Sequence, residues 1–296
     1  MHCHFSPLGI PVLLTVGDPA LAATVEAAYA DGKSPDPPEK PRITLRIERG
    51  EAPSTGISLD IRVTGSRLRL SGAGMRAEAD ATTMQGHCVL PVGDAVPSAL
   101  MLEAIDAVLL FLLSRSGRTP LHAAGILVGD MALVLSGPSG SGKSTLTLAA
   151  ARRGLQLLSD DMVFVQTEPD LRLWGLPRPL HVFPEDAPPG PHPKRLRAGK
   201  WKVAIPAPRV AMVRSTRKGR LILLRPGSEL ALDPVDPEQA VSNLKLEPGF
   251  DLLADESRAA VAALAAGGVW RLSLSSDPAA AIDLLCRHFN PLRAAG

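Results

Sequence analysis

Residues 137–145 read GPSGSGKST, two aspartates stand together at 160 and 161, and a histidine, His122, lies upstream in LHAAG. The first stretch follows the pattern glycine, four residues, glycine, lysine, serine, with Gly137, Gly142, Lys143 and Ser144 in the defined places of a P-loop. Its glycines omit the Cβ atoms that would block close approach, so successive backbone N–H groups can surround anionic oxygens. Gly137, Ser139, Gly140, Ser141, Gly142, Lys143, Ser144 and Thr145 are therefore the expected cradle for the phosphates of ATP. Lys143 is placed to reach the terminal phosphates and Ser144 to hold Mg²⁺. A glycine-rich turn with no ligand is the bland alternative, and the flanking sequence speaks against it. Met131–Ser136 is a short apolar run of strand type, and 146–153 is rich in helix formers, so the loop sits between strand and helix.

Moving a phosphoryl group onto a hydroxyl needs a positioned metal, a positioned phosphate and a group that takes the acceptor's proton. Asp160 and Asp161 close the apolar run Leu155–Leu158 that follows the loop's helix. Successive residues of an extended strand point to opposite faces, so the pair is expected to divide its work. One would face the acceptor and the other a metal or a structural partner. A turn or helix cap is the competing explanation, since aspartate favours strand ends. His122 taken alone reads as a structural histidine; beside a carboxylate it would favour that group's ionised form.

These residues need elements to hold them. Residues 1–96 are expected to form a small β-rich region, with ITLRIE (43–48), ISLDIRV (57–63) and RLRLSG (67–72) alternating as half-buried antiparallel strands do. Residues 97–116 read as a connecting apolar helix, with Ser98 as N-cap and Gly117 as its stop. Residues 117–296 then form an α/β P-loop domain. Its strand, loop, helix, strand order predicts a parallel sheet with the nucleotide at the carboxyl ends of the strands. Between 177 and 208 prolines and glycines crowd a stretch with little periodicity, which predicts a loop acting as a flap or lying disordered. It carries Lys194, Arg195, Arg197, Lys200 and Lys202, with Arg209, Arg214, Arg217, Lys218 and Arg220 after it. These cations suit either a solvated surface or a clamp for phosphates or an acidic peptide. RLILLRP (220–226) and VWRLSLS (269–275) read as strands, and 256–265 and 278–289 as helices.

Composition narrows the classes further. A formal charge of +2 over 296 residues offers no global attraction to nucleic acid or to an anionic membrane. The most apolar segment, 98–116, carries Glu103, Asp106 and Arg115, as a buried helix does and a membrane span does not. The first residues lack the basic region of a signal peptide, and Cys3, Cys88 and Cys286 are odd in number and widely spaced. Reduced thiols in a cytoplasmic protein are the expectation. His2, Cys3 and His4 could bind a metal but read as an ordinary chain start.

The span from His122 to Asp161 resembles the catalytic core of bacterial HPr kinase/phosphorylase. The shared features are His122 at the start of a strand, Gly137-Pro-Ser-Gly-Ser-Gly-Lys-Ser144, Arg153-Gly154 closing the helix, and Leu155-Gln-Leu-Leu-Ser-Asp-Asp161. The spacings from histidine to loop and from loop to aspartates look the same as in that family. The resemblance implies a core of the HPr kinase C-terminal type, with Asp160 as the general base toward a substrate serine and His122 close enough to bias its protonation. It also implies that Asp161 helps at the metal. The family's Glu-x-x-Gly-Leu-Gly segment has no counterpart, since Leu173-Trp-Gly-Leu-Pro-Arg178 supplies Gly175-Leu176 without the glutamate. The segment tied to HPr docking is missing too, so HPr is not the expected substrate. The arrangement looks more like HPr kinase-related proteins of peptide-modification systems, such as the lasso-peptide kinases. The function expected is an ATP-dependent serine kinase whose partner is a peptide or small protein carrying the acceptor serine, with no nucleic acid or membrane partner and self-association left open. An ABC transporter ATPase would need an LSGGQ-like segment and a strand ending in Asp-Glu, and neither is present. A P-loop ATPase or nucleoside-type kinase, and a non-catalytic ATP-binding module, stay as alternatives.

Overall fold

The structure is a computed structural model that describes residues 1–29, 40–51, 58–93, 96–176, 179–192, 194–197, 200–205, 212–242 and 253–289. The chain forms two compact units, Met1–Arg118 and Thr119–Gly296. It is a mixed α/β protein with several sheets.

The first unit contains β1 (His2–Phe5), β2 (Val12–Val16), α1 (Pro19–Ala28), β3 (Ile43–Arg49), β4 (Asp60–Thr64), β5 (Arg67–Gly72), β6 (Met75–Asp80), β7 (Gln85–Leu90) and α2 (Ser98–Ser114). Its strands form one seven-stranded sheet in the order β1-β2-β3-β7-β6-β5-β4. The alternation expected of antiparallel strands at 43–48 is present, with Ile43, Leu45 and Ile47 buried, but β3 pairs in parallel with both β2 and β7. Alternation reports that one face is buried and is blind to strand direction. Helix α1 is signalled by Asp18-Pro19: the Asp18 carboxylate accepts the N–H groups of Ala20 and Leu21, and proline occupies the first turn. Helix α2 packs on β5, β6 and β7 within this unit. Ser98 is its first helical residue, behind Pro97, and makes no side-chain cap. His2, Cys3 and His4 lie on a strand, which sends Cys3 into the core and leaves His2 exposed. Burial pushes the Cys88 thiol up to about 12.

The second unit contains β8 (Thr119–Leu121), β9 (Ala123–Val128), β10 (Met131–Ser136), α3 (Lys143–Arg152), β11 (Leu157–Ser159), β12 (Val163–Gln166), β13 (Arg172–Gly175), β14 (Leu180–Val182), β15 (Lys194–Arg197), β16 (Lys200–Ile205), β17 (Ser215–Thr216), β18 (Lys218–Pro226), β19 (Ala231–Val235), α4 (Pro237–Ser242), α5 (Ala254–Ala265), β20 (Val269–Leu274) and α6 (Pro278–Phe289). A six-stranded sheet in the order β11-β9-β10-β18-β20-β19 is covered on both faces. Leu133 and Leu135 of β10 point to the core side containing Leu146, Leu148 and Ile282, while Ala132 and Val134 point to the side containing Val163, Leu173 and Leu264. Burial on both faces explains why MALVLS reads as an unbroken apolar run. Among the described residues no helix is long and apolar enough to cross a membrane.

The sheet is mixed where the motif order predicted a parallel one. β10, β18 and β20 are parallel, but β9 runs antiparallel between β10 and β11, and β19 antiparallel at the far edge. Only Gly129 and Asp130 join β9 to β10, with Gly129 at φ 66°. A two-residue loop of that kind closes a hairpin and so seats β9 directly against β10.

The proline-rich stretch also departs from its loop reading. β14, β16 and β15 form a sheet in that order, with Leu180, Val182 and Val203 packed on the core. Strands this short carry two or three inward positions each, too few for a period to show in the sequence. Residues 193, 198, 199 and 206–211 lie outside the described ones. The register sets Arg195 opposite Lys202 and Arg197 opposite Lys200.

At Gly175 of β13 the chain passes close against β11. A Cβ there would lie 1.7 Å from the carbonyl oxygen of Leu158, the residue two before Asp160. Gly175→Ala must push β11 away and should cost about 1–3 kcal/mol or more, as overpacked cores do. Thermal melting followed by circular dichroism should show a fall of several degrees, and an unchanged midpoint would refute this packing.

Candidate functional site

Three strand ends meet at one edge of the six-stranded sheet. β10 ends at Ser136 and hands the chain to Gly137, and β11, running the same way, ends at Ser159 and hands it to Asp160. β9 runs oppositely and begins at that edge, with Ala123 opposite Ser136, so His122 stands there too. The antiparallel strand the motif did not predict is what brings the histidine to the loop.

The loop's curvature depends on its glycines. Gly142 caps α3 at φ 102°, a left-handed conformation, and the helix has no side-chain cap. The first N–H groups of a helix have no intrahelical partner, so those of Lys143, Ser144 and Thr145 are left for an anion. A Cβ on Gly137 would stand 2.7 Å from Ser141 Oγ, and that oxygen is buried with no hydrogen-bond partner. Lys143 folds back over the loop, its Nζ donating to the carbonyl oxygens of Gly137 at 2.5 Å and Pro138 at 3.3 Å. Ser139 and Gly140 are exposed, and Ser144 and Thr145 half-buried. A ring of N–H donors, an orphaned hydroxyl and a nearly buried ammonium fit the phosphates of ATP. Among the described residues no three His, Cys, Asp or Glu side chains gather as a metal site. Mg²⁺ does not require one, because it keeps several waters and binds through one or two carboxylates together with substrate phosphates.

The two aspartates do diverge, although not as strand neighbours. Asp160 and Asp161 lie in a bend after β11, which the Ser159 hydroxyl organises by accepting the N–H groups of Asp161 at 3.4 Å and Met162 at 3.1 Å. Serine thus makes the turn, and both carboxylates are left for other work. Asp160 is buried, and its Oδ2 accepts the backbone N–H of His181 at 2.9 Å. Asp161 has a side chain 47% exposed, with His122 Nδ1 3.4 Å from its Oδ1. His122 thus stands beside the carboxylate of Asp161, while the resemblance implied a role toward Asp160.

Sequence reasoning passed over His181. It sits in β14 between Leu180 and Val182, and nothing in its spacing from Asp160 marks it. Its Nδ1 lies 3.7 Å from Asp160 Oδ2, too far for a hydrogen bond, and is buried with no partner of its own. Leaving such a group unsatisfied costs about 1–3 kcal/mol.

Of the basic residues weighed as a clamp, Arg217 pairs with Asp170 at 3.1 Å and Lys218 with Asp130 at 2.5 Å, as ordinary surface ion pairs. Lys202 Nζ stands 5.6 Å from the centre of the Phe183 ring. Arg209 lies outside the described residues.

No protein-family model matches the chain, and no curated protein matches its sequence. Among solved structures it is similar to the Hpr(Ser) kinase/phosphatase from Coxiella burnetii, with 17% sequence identity and a TM-score of 0.31. That similarity covers 60% of this chain and 99% of the other.

Proposed function

We propose that this protein is a phosphotransferase that moves the γ-phosphoryl group of Mg-ATP to a serine hydroxyl of a peptide or small protein. The observation that supports it most is the gathering, at one sheet edge, of a phosphate loop with an uncapped helix N-terminus, a buried aspartate anchored by a backbone amide, and an exposed aspartate beside a histidine. Bound Mg-ATP supplies the transferable group and a divalent charge that offsets its oxygens. The chain's residues do the rest. Lys143 exchanges the carbonyl oxygens it now holds for phosphate oxygens, with N–H groups of the loop and of the first turn of α3 around them. Asp160, whose position is fixed, takes the acceptor proton, since a base must be held within hydrogen-bond reach of the group it serves. Asp161 and Ser144 take the metal, because an ion that keeps its waters suits an exposed carboxylate. His122 orients Asp161 from the side.

The acceptor oxygen has to come about 3–3.5 Å from phosphorus. A flexible peptide end or an exposed loop meets that demand more easily than a buried serine, and a lasso-type precursor peptide is of that kind. The cations at 194–202 in the sequence favour acidic residues or a terminal carboxylate near the serine, so the rate should fall as salt screens such charges. The test is mass spectrometry of serine-containing acidic peptides after incubation with Mg-ATP, each paired with its Ser→Ala counterpart. One added phosphate on the serine peptide alone supports the reading. Phosphate released only to water would favour an ATPase, and phosphate on the Ser→Ala peptide would refute serine as acceptor.

A further inference from the structure

Asp160 meets one residue in two places. His181 gives Oδ2 its backbone N–H at 2.9 Å, and Nδ1 of the same residue lies 3.7 Å from the same oxygen. Both side chains are nearly enclosed, 7% exposed for Asp160 and 10% for His181. His181 cannot easily move away, because β14 is laddered to β16 with His181 opposite Ala204, and Leu180 and Val182 on either side are buried in the core. A single N–H fixes where a carboxylate oxygen sits but not how the group is turned, since the torsion of an aspartate carboxylate is broad and roughly two-fold. A second donor removes that freedom. A bare lone pair on Nδ1 facing carboxylate oxygen would be repulsive, so the proton of the neutral ring belongs on Nδ1. Only about 0.8 Å separates the present distance from an ordinary N–H···O bond.

We infer that His181 is a positioning residue for Asp160: its amide and its Nδ1–H together clamp Oδ2 and leave Oδ1 as the oxygen turned toward the acceptor hydroxyl. The role of Oδ1 rests on the proposed phosphotransferase reading, while the clamp itself concerns the chain alone. Hydrogen bonds to charged groups are the stronger kind, so the bond made when Nδ1–H closes the remaining distance to Oδ2 is lost with the imidazole.

Three substitutions separate a clamp from a filler of the core. Asparagine carries an amide N–H near the place of Nδ1, glutamine carries it one bond too far, and leucine keeps the bulk with no donor. With an acceptor peptide, His181→Leu and His181→Gln should lower kcat by about 10- to 100-fold at unchanged KM for ATP, while His181→Asn stays within about threefold of wild type. If His181 merely fills space, the order reverses, because leucine suits a buried strand position better than asparagine. A second readout needs no turnover. Long-range ¹H–¹⁵N spectra of histidine-labelled protein should show the Nδ1–H tautomer for His181, changing to Nε2–H in Asp160→Ala. Protein with the Nδ1–H tautomer that transfers phosphate to no acceptor would refute the phosphotransferase reading and leave the clamp in place. An Nε2–H tautomer in the wild-type protein, or a wild-type kcat in His181→Leu, would overturn the clamp.

Discussion

Lys143→Ala should abolish phosphoryl transfer while leaving the fold intact. The ammonium is the one cation built into the phosphate loop, and it starts α3 at the point where N–H groups converge. Removing a donor that meets developing charge in a water-poor site typically costs about 10²–10³-fold in kcat. A full positive charge on several phosphate oxygens should cost more. The fold should survive, because the ammonium donates to carbonyl oxygens of its own loop, and alanine is the best helix former for the vacated first turn. The check is kcat with labelled ATP beside a thermal melt. Wild-type turnover in the variant would remove the P-loop from the mechanism, and a melting midpoint many degrees lower would show that Lys143 holds the loop together instead.

Asp160→Asn should bind Mg-ATP normally and transfer phosphate about 10²–10⁴-fold more slowly, the usual contribution of a general base. The amide oxygen of asparagine can still accept the His181 N–H, so the anchor persists while the basic oxygen is lost. Asp161→Asn should behave differently. That carboxylate is half exposed, so its loss should raise the Mg²⁺ concentration needed for half-maximal rate and leave a measurable kcat at saturating metal. Titrating Mg²⁺ against rate for both variants separates the two roles. If Asp160→Asn loses nucleotide affinity but keeps its rate at saturation, and Asp161→Asn shows the opposite, the two aspartates exchange assignments.

The parts of this protein that one short segment can specify are legible in its sequence. The phosphate loop is one of them: glycines where a Cβ would collide, a lysine and a serine at the first turn of a helix, and an apolar strand before them, all within about fifteen residues. The strands at 220–226 and 269–275 and the helices at 256–265 and 278–289 are also legible, because each is long enough to show an apolar run or a helical period. The divergence of the Asp160 and Asp161 side chains is expected from the sequence for a reason that does not apply. A strand was expected to turn the two side chains apart, whereas Ser159 does it through a bend.

Everything that depends on one segment finding another was decided by tertiary structure. Strand direction is invisible to alternation, so β3 between two parallel neighbours and β9 between β10 and β11 could not be read from their residues. The hairpin sheet of β14, β15 and β16 is too short-stranded to carry a period, and it exists because Leu180, Val182 and Val203 have a core to enter. His181 stands for the whole class. Twenty-one residues separate it from Asp160, and a histidine between two apolar residues is chemically silent until a strand ladder brings its amide to a carboxylate and encloses both from water.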